Sequence, residues 1–443
     1  MKVQFRNTYF IFILIQGVLI ELLCLAYLHF DSATAFKSNM QYHIVIYALA
    51  CIPYFAAYYF IKRFRGTANQ TKESRTVLLS FIIIAGFLFR LTLLPTHRST
   101  SDDYYRYLWE GKVLTNGFNP YAVSPADSSL IPLRDSALWS NVTFKKYTSN
   151  YQPGAQVVFS LAYLIGGDSL FGLKCIYLLC EALLFWALLR LLRRRNLPDY
   201  FLLLYAWLPL PLFEYYVNGH LDVAALPFFI LALFYADGRK LWKSALLFAV
   251  ALLVKSYAIF ALPFLLKRFS LRQKLTYIGI VGVVVIAAYL PFLNEQRSVL
   301  ETLTKYLRNW EFNGSFYKLF VLLFQDSMRA RLLCTGLFIA LGGWIFLKGK
   351  DALKSTYLVY FLAVLFGTTV YPWYLGWLAV LHPFGEMLAV SALFVVINLS
   401  NLTPAADVWA EPTWAVVLEY TIVFLFFARD GWNYYKEKRV PGK

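Results

Sequence analysis

The chain has 443 residues, 59% of them hydrophobic and 19% aromatic, with only 15% charged. A soluble domain sits near half apolar and a quarter charged, so this composition excludes an ordinary soluble enzyme and points to a polytopic membrane protein. The net charge of +17 lies mostly in short clusters beside apolar segments, which suits membrane orientation and anionic headgroups, and no nucleic-acid partner is expected.

Lys2 and Arg6 precede an apolar run that is too long for a signal peptide and lacks a small-residue cleavage site, so it reads as a retained first span. A helix needs roughly 20 apolar residues to cross a bilayer. Candidates run over 8–30, 41–61, 76–95, 168–190, 200–217, 221–237, 275–293, 331–347, 355–370 and 412–429, with shorter pieces between. The fold expected is an all-α polytopic membrane helix bundle of about 11–13 spans, forming one domain over residues 1–443. Lys62-Arg63-Phe64-Arg65, Arg193-Arg194-Arg195, Arg239-Lys240, Lys267-Arg268 and Lys436 to Arg439 should mark the cytoplasmic face. The third span then exits, and outer loops fall at about 96–154 and 294–330. The apolar piece Gly154 to Ile165 cannot fully cross and reads as a half-helix or tilted helix at the outer interface. "LWKSALLFAVALLVKSYAIFALPFLLKR" has cytoplasmic charge at both ends, so it reads as a broken hairpin with Lys255 near its apex; the competing reading is one long tilted helix. Cys24, Cys51, Cys175, Cys180 and Cys334 lie in or beside apolar stretches and read as small core residues.

The first outer loop opens with "SDDYYRYLWEGKVLTNGFNPY". On a helix, Ser101 is a fitting N-cap, Asp102 and Asp103 fall in the first turn, and Asp103, Arg106 and Glu110 share a face. Spacing alone is also satisfied by a capped amphipathic surface helix. Further on, Lys255 in an apolar segment is costly enough to require a partner, Asp222 being one. Asp222 can also cap the helix that follows "VNGHLD". Trp310, Asn313, Tyr371 and Trp373 stand at expected outer span ends, where belt aromatics are common. Glu21 and Glu181, inside expected spans, read as hydrogen-bonded packing contacts.

The opening stretch resembles the first outer-loop signature of the polyprenol-phosphate-dependent mannosyltransferase families of the type C glycosyltransferase superfamily. "NYQPGAQVVF", "NGHLDVAALPFFILAL", "KSYAIFALPFLL", "LRNWEFNGSFYKLF" and "YPWYLGWLAVL" resemble later stretches of the same families in order. Two departures are "YQPGAQ", where two prolines more often follow the tyrosine, and two spans before the signature where one is common. The resemblance implies an integral membrane enzyme, in a bacterial plasma membrane with its site on the non-cytoplasmic face, that moves a sugar, most plausibly mannose. The donor would be a polyprenyl-phosphate sugar among membrane lipids, and the acceptor a hydroxyl of a glycan or glycolipid. Asp103 or Asp102 would be the general base, or would help hold a divalent cation such as Mg or Mn, with Glu110 nearby. Lys255, His220 and Arg106 are candidates to contact the phosphate, and Asp222, Trp310, Asn313, Tyr371 and Trp373 to line the substrate. A transporter or flippase of lipid-linked sugars is the alternative; repeated halves and polar groups at the midplane would mark one, and no repeat is visible.

Overall fold

The computed structural model describes residues 2–31, 36–65, 71–97, 100–134, 138–293, 300–406 and 410–439. The side chains of Lys2, Arg6, Arg65 and Arg439, expected markers of one face, lie outside the described residues, as do residues 294–299 of the second loop. Every regular element described is helical; the β contact present is an isolated parallel bridge between Phe312 and Thr369.

Among the described residues seven helices are long and apolar enough to cross a membrane: Tyr9–Phe30, Asn39–Arg63, Lys72–Leu93, Phe171–Arg194, Leu271–Phe292, Ser327–Lys348 and Leu388–Ala405. The other expected stretches are shorter, broken or charged. The stretches 200–217 and 221–237 form short pieces, and Pro209–Tyr216 meets Leu221–Asp237 at a bend of 102°. Pro209 and Pro227 each stand in the first turn of a helix, where the missing backbone donor costs little, and the bend itself falls at the turn through Gly219. The stretch 355–370 shortens to Ala352–Phe366, and 412–429 becomes Thr413–Arg439, which carries Glu419, Arg429 and Asp430.

Ion pairs show which helix ends lie together. Asp237 gathers Arg194, Arg195 and Arg268, with N–O distances of 3.6, 2.9 and 2.5 Å. Arg195 also meets Asp351 at 2.7 Å, Lys62 meets Glu386 at 2.8 Å, and Lys267 donates to the Phe346 and Gly349 carbonyls. These contacts define a basic end. Asp199 pairs with Arg193 at 2.9 Å, so the chain from 199 to 237 leaves this end and returns to it. Its apex is at His220. Leu241–Val254 and Ser256–Leu266 likewise return through Arg268, which makes the Lys255 segment a hairpin and not one tilted helix. A third hairpin, Ala352–Phe366 with Gly376–Gly385, runs from Asp351 to Glu386 and turns at Tyr371 to Leu375.

At the opposite end the first loop is a folded cap. Its helix, Asp103–Thr115, begins one residue later than a Ser101 N-cap would give: Asp102 holds the cap position, and the Ser101 hydroxyl accepts from the Asp103 N–H at 3.2 Å. The helix packs on Pro153–Gly166, with the Tyr107 and Phe159 rings stacked at 4.6 Å. Both ends of Pro153–Gly166 stay at this level, since Gly154 abuts the backbone of Leu253 beside the Lys255 apex and Gly166 abuts Gly172. The interior is closed by a buried ion pair, Arg90 with Glu181, whose remaining valences are used by the Gly86 and Ala206 carbonyls and the Tyr205 hydroxyl. Glu21 accepts from Thr92 at 2.5 Å.

The cap docks through Gly111, where a Cβ would lie 2.3 Å from the Phe159 carbonyl oxygen. Gly111→Val should therefore force the two helices apart and destabilise the fold by about 1–3 kcal/mol. Gly279→Ala, whose added Cβ meets nothing within 4 Å, should be neutral or slightly stabilising. Thermal unfolding of the detergent-solubilised protein checks both, and equal midpoints for the two variants would contradict the packing described.

Candidate active site

The three hairpin apices and the start of the loop helix meet at one place. Helix Pro209–Tyr216 ends when the Val217 and Asn218 N–H groups both turn back to the Phe213 carbonyl, at 3.1 and 3.0 Å. Gly219 then adopts φ +77°, a left-handed turn that glycine makes without steric cost. The chain folds back far enough for the His220 N–H to donate to the Glu214 carbonyl at 3.0 Å. Asn218 Oδ1 accepts from the Thr100 N–H at 3.1 Å, tying this apex to the entry of the acidic loop.

Asp103 lies over that apex. Its carboxylate is enclosed by protein yet keeps 36% of its side-chain surface accessible, as a group lining a recess does. Oδ2 accepts from the Tyr107 hydroxyl at 3.4 Å and stands 3.8 Å from His220 Nδ1. Burial pushes the Asp103 pKa up to about 7, and the neighbouring Asp102 charge adds to the rise; Lys255 and the Tyr107 hydrogen bond oppose it. His220 is fully buried, and neither ring nitrogen makes a hydrogen bond.

The Lys255 ammonium is 3.0 Å from Asp222 Oδ2 and 5.3 Å from the centre of the Tyr374 ring. Asp222 is wholly buried, and its other oxygen accepts from Trp377 Nε1 at 3.0 Å. So the partner expected for Lys255 is present, and Asp222 serves the ion pair, the cap position of the helix that follows being held by Ala225.

The aromatic residues form a stack. His220 lies on Trp373 at 3.5 Å, Trp373 on Tyr371 at 4.2 Å, and Tyr371 on Phe312 at 4.3 Å. Both faces of Trp373 and of Tyr371 are thus covered by other rings, and these side chains offer edges, not faces, to a substrate. Trp310 donates its indole N–H to the Tyr371 hydroxyl at 3.0 Å, and Tyr306 meets Tyr374 at 3.0 Å between hydroxyls.

Three sequence candidates are committed to the protein itself. Arg106 pairs with Glu110 and donates to the Tyr147 carbonyl at 2.8 Å, while Glu110 accepts from Ser149 and Gln156 at 2.6 Å each. Both are buried on the side of the loop helix that faces its own cap. Asn313 is buried against the last helix, bonded to Glu419, Glu411 and Tyr420. Asp102, Asp103, His220, Asp222, Lys255, Tyr371 and Trp373 are the candidates brought together. Glu214, Tyr374 and Trp377 belong with them and were missed. An acid inside the apolar run "PLFEYYV" was a usable signal for Glu214.

Among the described residues no three His, Cys, Asp or Glu side chains converge as metal ligands. Glu110, the expected third acid beside Asp102 and Asp103, is held elsewhere by Arg106, Ser149 and Gln156. Asp102 and Asp103 are the two carboxylates that would meet a divalent cation bound with substrate phosphate, and no step below passes through a metal.

No curated protein and no solved structure matches the chain. A family model does: MptA_B, described as alpha-(1->6)-mannopyranosyltransferase, N-terminal domain, matches residues 16–269. That match takes in more than half of the chain and contains Asp103, His220, Asp222 and Lys255. By this match, and with an all-helical membrane bundle around these residues, the chain belongs to the alpha-(1->6)-mannopyranosyltransferase family and is a type C membrane mannosyltransferase.

Proposed function

We propose that the protein transfers mannose, with inversion, from a polyprenyl-phosphate donor to a hydroxyl of a glycan or glycolipid, at the non-cytoplasmic face of a bacterial plasma membrane. The observation that carries this reading is the placement of Asp103 at the lip of a recess whose floor is the Lys255–Asp222 pair and whose wall holds a buried, unbonded His220. The recess lies at the end of the bundle opposite the basic cluster, and the positive-inside rule turns that end outward. A prenyl tail stays in the lipid, so the reaction has to occur where span ends meet a loop.

In this scheme Asp103 takes the proton of the acceptor hydroxyl as the oxygen bonds to the anomeric carbon. The bond from that carbon to the phosphate oxygen breaks on the opposite side, and the lipid phosphate leaves with the electron pair. One carboxylate suffices, because the phosphate needs no proton to depart; it needs positive charge nearby. The Lys255 ammonium has three donors, and Asp222 engages it from one side, which leaves donors for the phosphate. A carboxylate with a pKa of about 7 is a stronger base than an ordinary aspartate and is still largely ionised at slightly alkaline pH. Asp103 suits the role better than Asp102, whose backbone fills the cap position of the helix.

Asp103→Asn should lower transfer from a labelled lipid donor by about 10²- to 10⁴-fold, and Asp102→Asn by much less. Full transfer by folded Asp103→Asn removes the base. In the wild type, transfer should rise with pH through a limb near 7 as Asp103 loses its proton and level off above it; the Asp103→Asn residual rate should lack that limb. Lys255→Met should raise the donor KM while the protein still inserts, and an unchanged KM would leave Lys255 a purely structural partner of Asp222. Thr100→Cys should react with a membrane-impermeant thiol reagent added outside intact cells; reaction from the cytoplasmic side alone would overturn the orientation.

A further inference from the structure

The contact between Asp103 and His220 continues behind the imidazole. On the far side of the ring, Nε2 lies 3.5 Å from Glu214 Oε2, while Nδ1 faces Asp103 Oδ2 at 3.8 Å. The imidazole stands between the Asp103 carboxylate and the Glu214 carboxyl group, with the histidine fully buried and Glu214 1% exposed. The arrangement follows from how one helix ends. Glu214 sits in the last turn of Pro209–Tyr216, and the Asn218-Gly219 reversal returns His220 over it, with the backbone N–H of His220 on the Glu214 carbonyl. Asn218 Nδ2 steadies the same carboxylate oxygen at 3.4 Å. Trp373 covers one face of the imidazole.

The nearby cations have other partners: Lys255 is with Asp222 and Arg90 with Glu181. Stability of the core does not require an acid here, since an apolar side chain of the same shape would fill the space without a buried polar group to satisfy. What the acid adds is a hydrogen-bonding partner for Nε2. The bond made by one ring nitrogen decides which nitrogen carries the proton and how the ring is turned. Both separations are longer than a tight hydrogen bond, as contacts of this kind often are before substrate is bound.

We propose that Glu214 is a positioning residue for the transfer reaction: as the protonated acid it donates to His220 Nε2, which leaves the ring proton on Nδ1 and fixes the orientation in which Nδ1–H donates to Asp103 Oδ2. The other carboxylate oxygen, Oδ1, is then the one presented to the acceptor hydroxyl. The inference rests on the reading of Asp103 as the base.

The test compares Glu214→Met and Glu214→Gln with wild type and Asp103→Asn, all full-length and reconstituted with labelled lipid donor. Glu214→Met should lower kcat by about 10- to 100-fold, the range for partners that orient a reacting group, with donor and acceptor KM unchanged. Glu214→Gln, which can still bond Nε2, should keep most of the rate. Placed in Asp103→Asn, Glu214→Met should cost nothing further, because the group it orients is gone. Nitrogen-15 spectra of histidine-labelled protein, with the His220 signals assigned by their loss in His220→Asn, should show one tautomer in wild type and Glu214→Gln and a mixture in Glu214→Met.

An unchanged kcat in folded Glu214→Met, equal loss in Glu214→Gln, or a full additional loss in the Asp103→Asn background would overturn the proposal while leaving Asp103 as base. Full activity in Asp103→Asn would instead remove the base, and this proposal with it. If Glu214→Met does not fold, Glu214→Gln decides: a single His220 tautomer with near-normal kcat supports the role, and a mixed tautomer overturns it.

Discussion

The Lys255–Asp222 ion pair is the constraint on which the rest of the structure turns. Three hairpins interrupt their helices at the same level, and irregular backbone at that depth is sustainable only where protein surrounds it. Lys255 is one apex, Asp222 follows another, and Trp377, which donates to the second oxygen of Asp222, follows the third. A further tie joins the Tyr360 hydroxyl to the Tyr257 carbonyl at 2.9 Å. Each charge would be costly alone in an apolar bundle. Together they bind the three apices into one floor, so the interaction that makes the broken helices tolerable also places a cation beside Asp103 and His220.

The rest of the site is assembled on that floor from pieces with separate anchors. The histidine turn is held by helix termination, the aromatic wall by continuous ring stacking, and the second loop by the bridge between Phe312 and Thr369. Asp103 arrives on a loop, but a loop tied down by the Arg106–Glu110 pair and by Gly111 against Phe159. Residues that resembled substrate contacts in the motif thus act one step earlier, by stiffening the segment that carries the acid. Loops positioned by a rigid scaffold are where reactive groups concentrate, and here the scaffold reaches into the loop itself.

Charge also distinguishes this recess from a simple anion site. Asp102, Asp103, Asp222 and Glu214 surround a single lysine and a histidine. An excess of acids in an enclosed space favours holding protons, which raises the basicity of Asp103. The same crowding makes the direction of each side chain consequential, because two carboxylates that approach without a proton or cation between them repel.

Much of this was readable from the chain alone. Composition and the length of apolar runs determined a helical membrane bundle, since no other use of so much hydrophobic surface suits a polypeptide of this size. Paired basic ends around Lys255 determined a hairpin, and the acid pair after the third span marked the loop that meets the hairpin apices. Hydropathy registers apolar content and is blind to breaks within it, so the stretches 200–217 and 221–237 read as two runs where the chain forms one sharply bent pair. Tertiary structure alone decided the partners. Asp222 and Trp377 are 155 residues apart, and Arg106 and Glu110, at helical spacing with Asp103, are taken up by Tyr147, Ser149 and Gln156 once the loop folds over them. Periodicity and charge are local properties of a sequence, whereas the meeting of hairpin apices depends on how whole hairpins pack, and that is settled only when the bundle closes.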